Sequence, residues 1–315
     1  KTEARMADAE AFLTTLAPMH LKDAPGGKAY LTKDDSILNR GKIAFADTCA
    51  ACHSSKQPPA EILADPEQAK QWYRESVLSS DFLKHNFLSD DKRYPITQIG
   101  TNAARALATN AKEGQVWAEF SSQTYKQLPS PGKLNLENPF DEKQPIEFDI
   151  PAGGNGYYRT PSLISVWSSA PLLHNNELGV YIADPSVAGR MTAFSDATEK
   201  LLWPEKRDRI IHRTERDTHL AMGELEADVP QGTPIKLLAN LDPRGTPRIL
   251  QRKLNSELGG KILSSLVRFI PDDVLTPLLL RYNLAPDFIE DHGHEFGANL
   301  ADDDKRALIE FLKTF

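Results

Sequence analysis

The chain has 315 residues, 40% of them hydrophobic and 26% charged, with a formal net charge of -7 and a pI near 5.7. These proportions are ordinary for a folded protein and allow a substantial core, in one large domain or two small ones. The acidic balance argues against nucleic acid as a partner, because binding phosphate needs clustered Lys and Arg, and no apolar run approaches the length of a membrane span.

Taken in chain order, the first pattern is a helix over Thr2 to Leu16, with Met6, Ala9, Phe12, Leu13 and Leu16 at roughly helical spacing and a stop before Pro18. Pro25-Gly26-Gly27 then marks a connector up to Lys33. A second helix is predicted from Asp35 or Ser36 to about Thr48, through Ile37, Leu38, Gly41, Ala44 and Phe45. Asp65-Pro66 reads as a cap with proline at the first helical position, opening a helix that buries Ala69, Trp72, Tyr73 and Val77. Thr101 can cap a further helix containing Ala104, Leu107 and Ala108.

Between Lys126 and Arg159, five prolines from Pro129 to Pro151 forbid a long helix, and Ile146, Phe148 and Ile150 alternate as a short strand would. Gly153-Gly154-Asn155-Gly156 lacks the spacing of a nucleotide fingerprint and reads as a turn. Helical signals return at Asp196 to Trp203, more weakly at Pro234 to Leu241, and at Pro271 to Tyr282. The chain ends in a helix whose N-terminal end carries Asp302, Asp303 and Asp304 and whose apolar face carries Leu308, Ile309, Phe311 and Leu312. The expected fold is therefore mainly α, with few short strands and a loop-rich insertion at about 126–270.

Chemistry concentrates at Cys49-Ala50-Ala51-Cys52-His53, which holds the only two cysteines of the chain. Two thiols separated by two residues and followed by histidine suit covalent attachment of one haem c: the thiols add across two vinyl groups, and His53 meets the iron from one face. Structural zinc would call for further thiolates, and a redox dithiol normally follows a strand, whereas a helix precedes this one. The second axial ligand decides between carrying electrons and activating a small molecule. The candidates are His20, His85, His174, His212, His219, His292, His294, Met6, Met19, Met191 and Met222. His294, between Gly293 and Gly297 in a loop suited to approach a flat macrocycle, leads them.

With the attachment motif, Gly41 and Phe45 on the preceding helix and Leu308 and Phe311 on the last resemble the cytochrome c family. The resemblance implies a haem core in which the N- and C-terminal helices cross at a glycine. A second resemblance rests on Arg159-Thr160-Pro161-Ser162-Leu163, Ala170-Pro171-Leu172-Leu173-His174-Asn175-Asn176 and Gly293-His294-Glu295-Phe296-Gly297. These segments are similar to the C-terminal haem domain of dihaem peroxidase and MauG-related proteins, closest to the rubber-oxygenase branch.

That second likeness implies His294 as the distal ligand opposite His53, with Met191 as the alternative, His174 as a supporting residue near the haem and Arg159 as a propionate partner. It also implies that residues 1–33 are a helix and linker remaining from a preceding haem domain, with the haem domain over 34–315. The numbering opens on Lys1 without Met, as expected of a processed or cropped chain. The function implied is electron transfer or relay rather than self-sufficient peroxidase or oxygenase activity. The other reading is a haem-dependent oxidoreductase of which this is the C-terminal part. The implied partner is a redox protein or a second haem domain, and the implied location periplasmic or extracellular.

Overall fold

A computed structural model describes residues 2–108, 122–222, 225–240 and 279–315, and within them the chain is mainly helical with few short strands. The helices are α1 (Thr2–Thr14), α2 (Asp35–Thr48), α3 (Ala60–Leu63), α4 (Pro66–Leu78), α5 (Ile96–Ile99), α6 (Ala104–Leu107), α7 (Gln123–Lys126), α8 (Val187–Leu202), α9 (Ile235–Ala239) and α10 (Asp302–Leu312). The strands form three antiparallel ribbons: β1 (Arg93–Pro95) with β4 (Tyr157–Arg159), β2 (Lys133–Leu136) with β3 (Ile146–Asp149), and β5 (Thr218–Met222) with β6 (Leu225–Val229). No helix among the described residues is long and apolar enough to cross a membrane. Most of the helix expected over Pro271 to Tyr282 lies outside the described residues.

Capping chemistry sets the starts of the main helices. Asp34 accepts from the backbone N–H groups of Ser36 and Ile37 at the head of α2. Asp65 does the same for Glu67 and Gln68 ahead of Pro66, as the sequence predicts. The helix expected over Asp196 to Trp203 starts earlier, at Val187, with the Ser186 hydroxyl accepting from Gly189 N–H. Gly189, Thr192 and Ser195 weaken the local helical signal there, but burial of Met191, Ala193 and Phe194 outweighs propensity. Conversely, α6 is shorter than expected and begins at Ala104, without a side-chain cap from Thr101.

The core is centred where α2 meets α10. A Cβ on Gly41 would lie 2.1 Å from the Ala307 carbonyl oxygen, so only glycine permits this approach. Phe45, fully buried, makes edge-to-face contacts with Phe311 (5.5 Å between centroids), Phe315 (5.2 Å) and Phe82 (6.0 Å). Burying one such ring contributes about 1.5–3 kcal/mol, before the pair geometry adds its part. Arg74 grips Asp47 through two 2.6 Å bonds and ties α4 to α2, while the Trp203 indole donates to Asp302 at 2.9 Å and ties the end of α8 to α10. By contrast the described side chains of α1, from Met6 onward, are exposed: Met6, Phe12 and Leu13 are each more than 60% exposed.

Candidate functional site

Helix α2 delivers the chain to Cys49, whose N–H still donates to Phe45 O at 2.8 Å. The Cys49 carbonyl then accepts from Cys52 N–H (3.1 Å) and His53 N–H (2.8 Å), winding the segment into one turn. Spacings of three and four bring Cys52 and His53 beside Cys49 on one face of it. The turn is braced from outside. Asp90 N–H donates to Cys52 O at 2.9 Å, the Gln57 amide donates to Ala51 O (3.2 Å) and Ser54 O (2.7 Å), and Asn86 Oδ1 accepts from Ser55 N–H at 2.9 Å.

The two thiols differ in setting. Burial pushes the Cys49 thiol up to about 11, against a lowering contribution from the Thr48 hydroxyl 3.2 Å away. Burial raises Cys52 as well, opposed by the nearby Tyr94 hydroxyl, which itself donates to the Asp90 carboxylate at 2.5 Å. Both cysteines are held as protonated thiols at neutral pH.

The His53 ring has Nδ1 3.2 Å from the Pro161 carbonyl, within the Arg159-to-Leu163 segment singled out in the sequence. A proton kept on Nδ1 by that carbonyl leaves the lone pair on Nε2. Burial drives the His53 pKa down to about 4, and the next contribution is His294, close enough for a charge there to disfavour one on His53. Two histidines far apart in sequence thus lie within electrostatic reach of each other. His294 is also shifted down, by burial first and then by Arg207, and its buried Nδ1 makes no hydrogen bond to another described residue.

The loop leading to His294 is fixed by groups that the sequence did not mark. Asn102, 1% exposed, donates its N–H to His292 O (3.1 Å) and its amide to Ile289 O (2.7 Å), and its own carbonyl accepts from the Tyr158 hydroxyl (2.9 Å). Asp291, also 1% exposed, accepts from the backbone N–H groups of Asp208, Arg209 and Ile210 at 2.8–3.0 Å. Arg207 reaches the carbonyls of Gly293 and His294. Only Arg207 carries a sequence signal, as a basic residue just past a helix C-terminus.

The remaining predicted residues are placed as follows. His174 stacks on Tyr158 (4.4 Å between centroids) with Nε2 3.0 Å from the Tyr158 hydroxyl, and its carbonyl accepts from Arg105 at 2.7 Å. Burial, then Arg105 and Lys236, push the His174 pKa down to about 4. Arg159 lies on the surface in an ion pair with Asp91, so a carboxylate of the chain already engages it. Met191 is 2% exposed in the core face of α8. His212 pairs with Glu177 (2.9 Å), His292 lies 3.6 Å from Glu137, and His20 and His85 line a cavity of about 200 Å³ with Phe87 and Phe315.

Among the described residues no group of three or more His, Cys, Asp or Glu is gathered as a bare metal ion would need. The two neighbouring neutral imidazoles and the adjoining thiol pair instead suit a group that brings its own equatorial nitrogens and carries vinyl arms. The unpartnered, buried Nδ1 of His294 and the carbonyl-anchored Nδ1 of His53 are compatible with that fit. Compared with known proteins, the chain matches no family model, and no curated protein or solved structure is significantly similar to it.

Proposed function

We propose that the chain is a c-type cytochrome that carries one covalently bound haem c between His53 and His294 and serves electron transfer or relay. The observation that carries this reading is the juxtaposition of His294 with the Cys49-to-His53 turn. If haem is attached, each thiol would add across one vinyl group, its sulfur to one carbon and its hydrogen to the other. Cys49 and Cys52 would hold the macrocycle by its edge, and the two imidazoles would hold the iron from both faces. When bound, haem supplies a one-electron ferric/ferrous couple.

The rest is the work of this chain. The α2–α10 crossing and its aromatic cluster make a cytochrome c-like core that fixes the attachment turn. Pro161 O orients His53, and the Asn102, Asp291 and Arg207 contacts hold the opposite loop. Ligation by both His53 and His294 would leave no coordination position for peroxide or dioxygen. That favours relay over the haem-dependent oxidoreductase, dihaem peroxidase-like or rubber-oxygenase-like, of which the chain could form the C-terminal part. The motif resemblances noted above support the same assignment, with Met191 as the alternative ligand, a redox protein or second haem domain as partner, and a periplasmic or extracellular location.

The test is electron paramagnetic resonance on the protein produced with a haem-attachment system. One covalent haem by mass and a low-spin ferric signal are expected, with His294→Ala turning the signal high-spin. A high-spin wild-type signal that responds to peroxide would support the oxidoreductase instead. A spectrum that changes in Met191→Ala but not in His294→Ala would assign the ligand to Met191.

A further inference from the structure

Arg207 makes a contact set unlike that of any other cation described above. Its side chain is 6% exposed, and a guanidinium has five N–H donors in a rigid fork. Nε donates to Lys200 O (3.0 Å) and Nη2 to Leu201 O (3.2 Å), two of the last carbonyls of α8, which lack partners within the helix. Nη1 donates to Gly293 O (3.3 Å) and to Glu295 Oε1 (2.9 Å), and Nη2 to His294 O (3.4 Å). The five contacts match the five donors, two spent on a rigid helix end and three on consecutive residues around His294. Gly293 makes room for this: a Cβ there would lie 3.2 Å from Nη2.

We propose that Arg207 is the positioning residue for His294, fastening its backbone to the end of α8 and keeping a permanent positive charge beside it. This rests on the reading of His294 as an iron ligand. The fork geometry is specific to arginine, since lysine offers a point charge without the planar donor array. The charge is constant across the working pH range, and its one carboxylate partner, Glu295, is 63% exposed and therefore well screened by water. A fixed positive charge near the iron favours the ferrous over the ferric state, so it raises the midpoint potential. The geometric and electrostatic roles can be separated by two substitutions.

In the holoprotein, Arg207→Lys keeps the charge and loses the fork, whereas Arg207→Met loses both. Cyanide, which competes with His294 for ferric iron, should bind more tightly in both variants, by between roughly ten- and a hundredfold, the range found when a group supporting a metal-bound histidine is removed. The midpoint potential should fall in Arg207→Met and stay close to wild type in Arg207→Lys. Wild-type cyanide affinity in both variants would overturn the positioning role, and an unchanged potential in Arg207→Met would overturn the electrostatic one. Should neither variant fold, Arg207→Gln, a neutral side chain that still donates to backbone carbonyls, supplies the same readout: a lowered potential supports the electrostatic role and an unchanged one defeats it. A wild-type protein without covalent haem or without a low-spin signal would sink the ligand assignment itself, a result distinct from failure of the Arg207 variants.

Discussion

His174 shows how far a single residue can be read from sequence. Its motif placed it among the residues of interest, but its partner, Tyr158, lies on a strand whose pairing with β1 is a long-range event. The same holds for Asn102, which looks like any polar residue until its contacts to Ile289 and His292 are seen. Arg159, on the same strand as Tyr158, is likewise engaged by a residue distant in sequence, here Asp91. The environment of His174 leads to a pH prediction. Its pKa is about 4 in the fold against an ordinary 6.5, so the unfolded chain takes up a proton first as pH falls. The stability this neutral ring contributes is complete above about pH 6.5 and is lost progressively toward pH 4, by at most about 1.4 kcal/mol per pH unit. Urea unfolding of wild type and His174→Phe should therefore show a difference that shifts in favour of the variant between pH 7 and pH 4. A difference that stays constant across that range would show that the His174 ring is not held neutral.

At the scale of elements, the helices around the attachment turn were legible because each start has a chemical cause and each buried face a period. Asp34, Asp65 and the acidic first turn of α10 are local signals, and local signals survive folding. What was not legible is which apolar faces find partners: α1 has the composition of a packed helix yet leaves Phe12 64% exposed. The α2–α10 crossing is the strictest of these fits. Gly41→Ala would drive a methyl group against the Ala307 carbonyl and the Phe311 Cβ, both backbone-fixed points that no rotamer change relieves. The helices would have to move apart and loosen the contacts of Phe45 with Phe311 and Phe315. Overpacking of this kind costs about 1–3 kcal/mol, so the urea midpoint should drop accordingly, with more loss for Gly41→Val. A wild-type midpoint in Gly41→Ala would mean that the crossing has slack that the packing does not suggest.

At the scale of the whole molecule, the site joins two ends of the chain. His53 follows α2, His294 precedes α10, and roughly 240 residues separate them, while α2 and α10 already touch. In the proposed holoprotein the covalent arm at Cys49 and Cys52 and the ligand at His294 would close that span into a loop, restricting the unfolded chain much as a crosslink does. The entropic ceiling for a loop of this length is on the order of 5 kcal/mol, less whatever ligation survives in the unfolded state. His294→Ala should then destabilise the haem-loaded protein by several kcal/mol on this scale. In a Cys49→Ser/Cys52→Ser background produced and purified without haem, the same substitution has no ligand to lose. There it loses only the packing of the ring, a cost partly offset by removing a buried nitrogen that has no hydrogen-bond partner among the described residues. The comparison is a double-mutant cycle between attachment and ligation, read by urea unfolding of the four proteins. A large coupling energy ties His294 to the haem through the fold. Equal losses in both backgrounds would mean that His294 only fills space in the loop held by Asn102, Asp291 and Arg207, and that the iron takes its second ligand elsewhere.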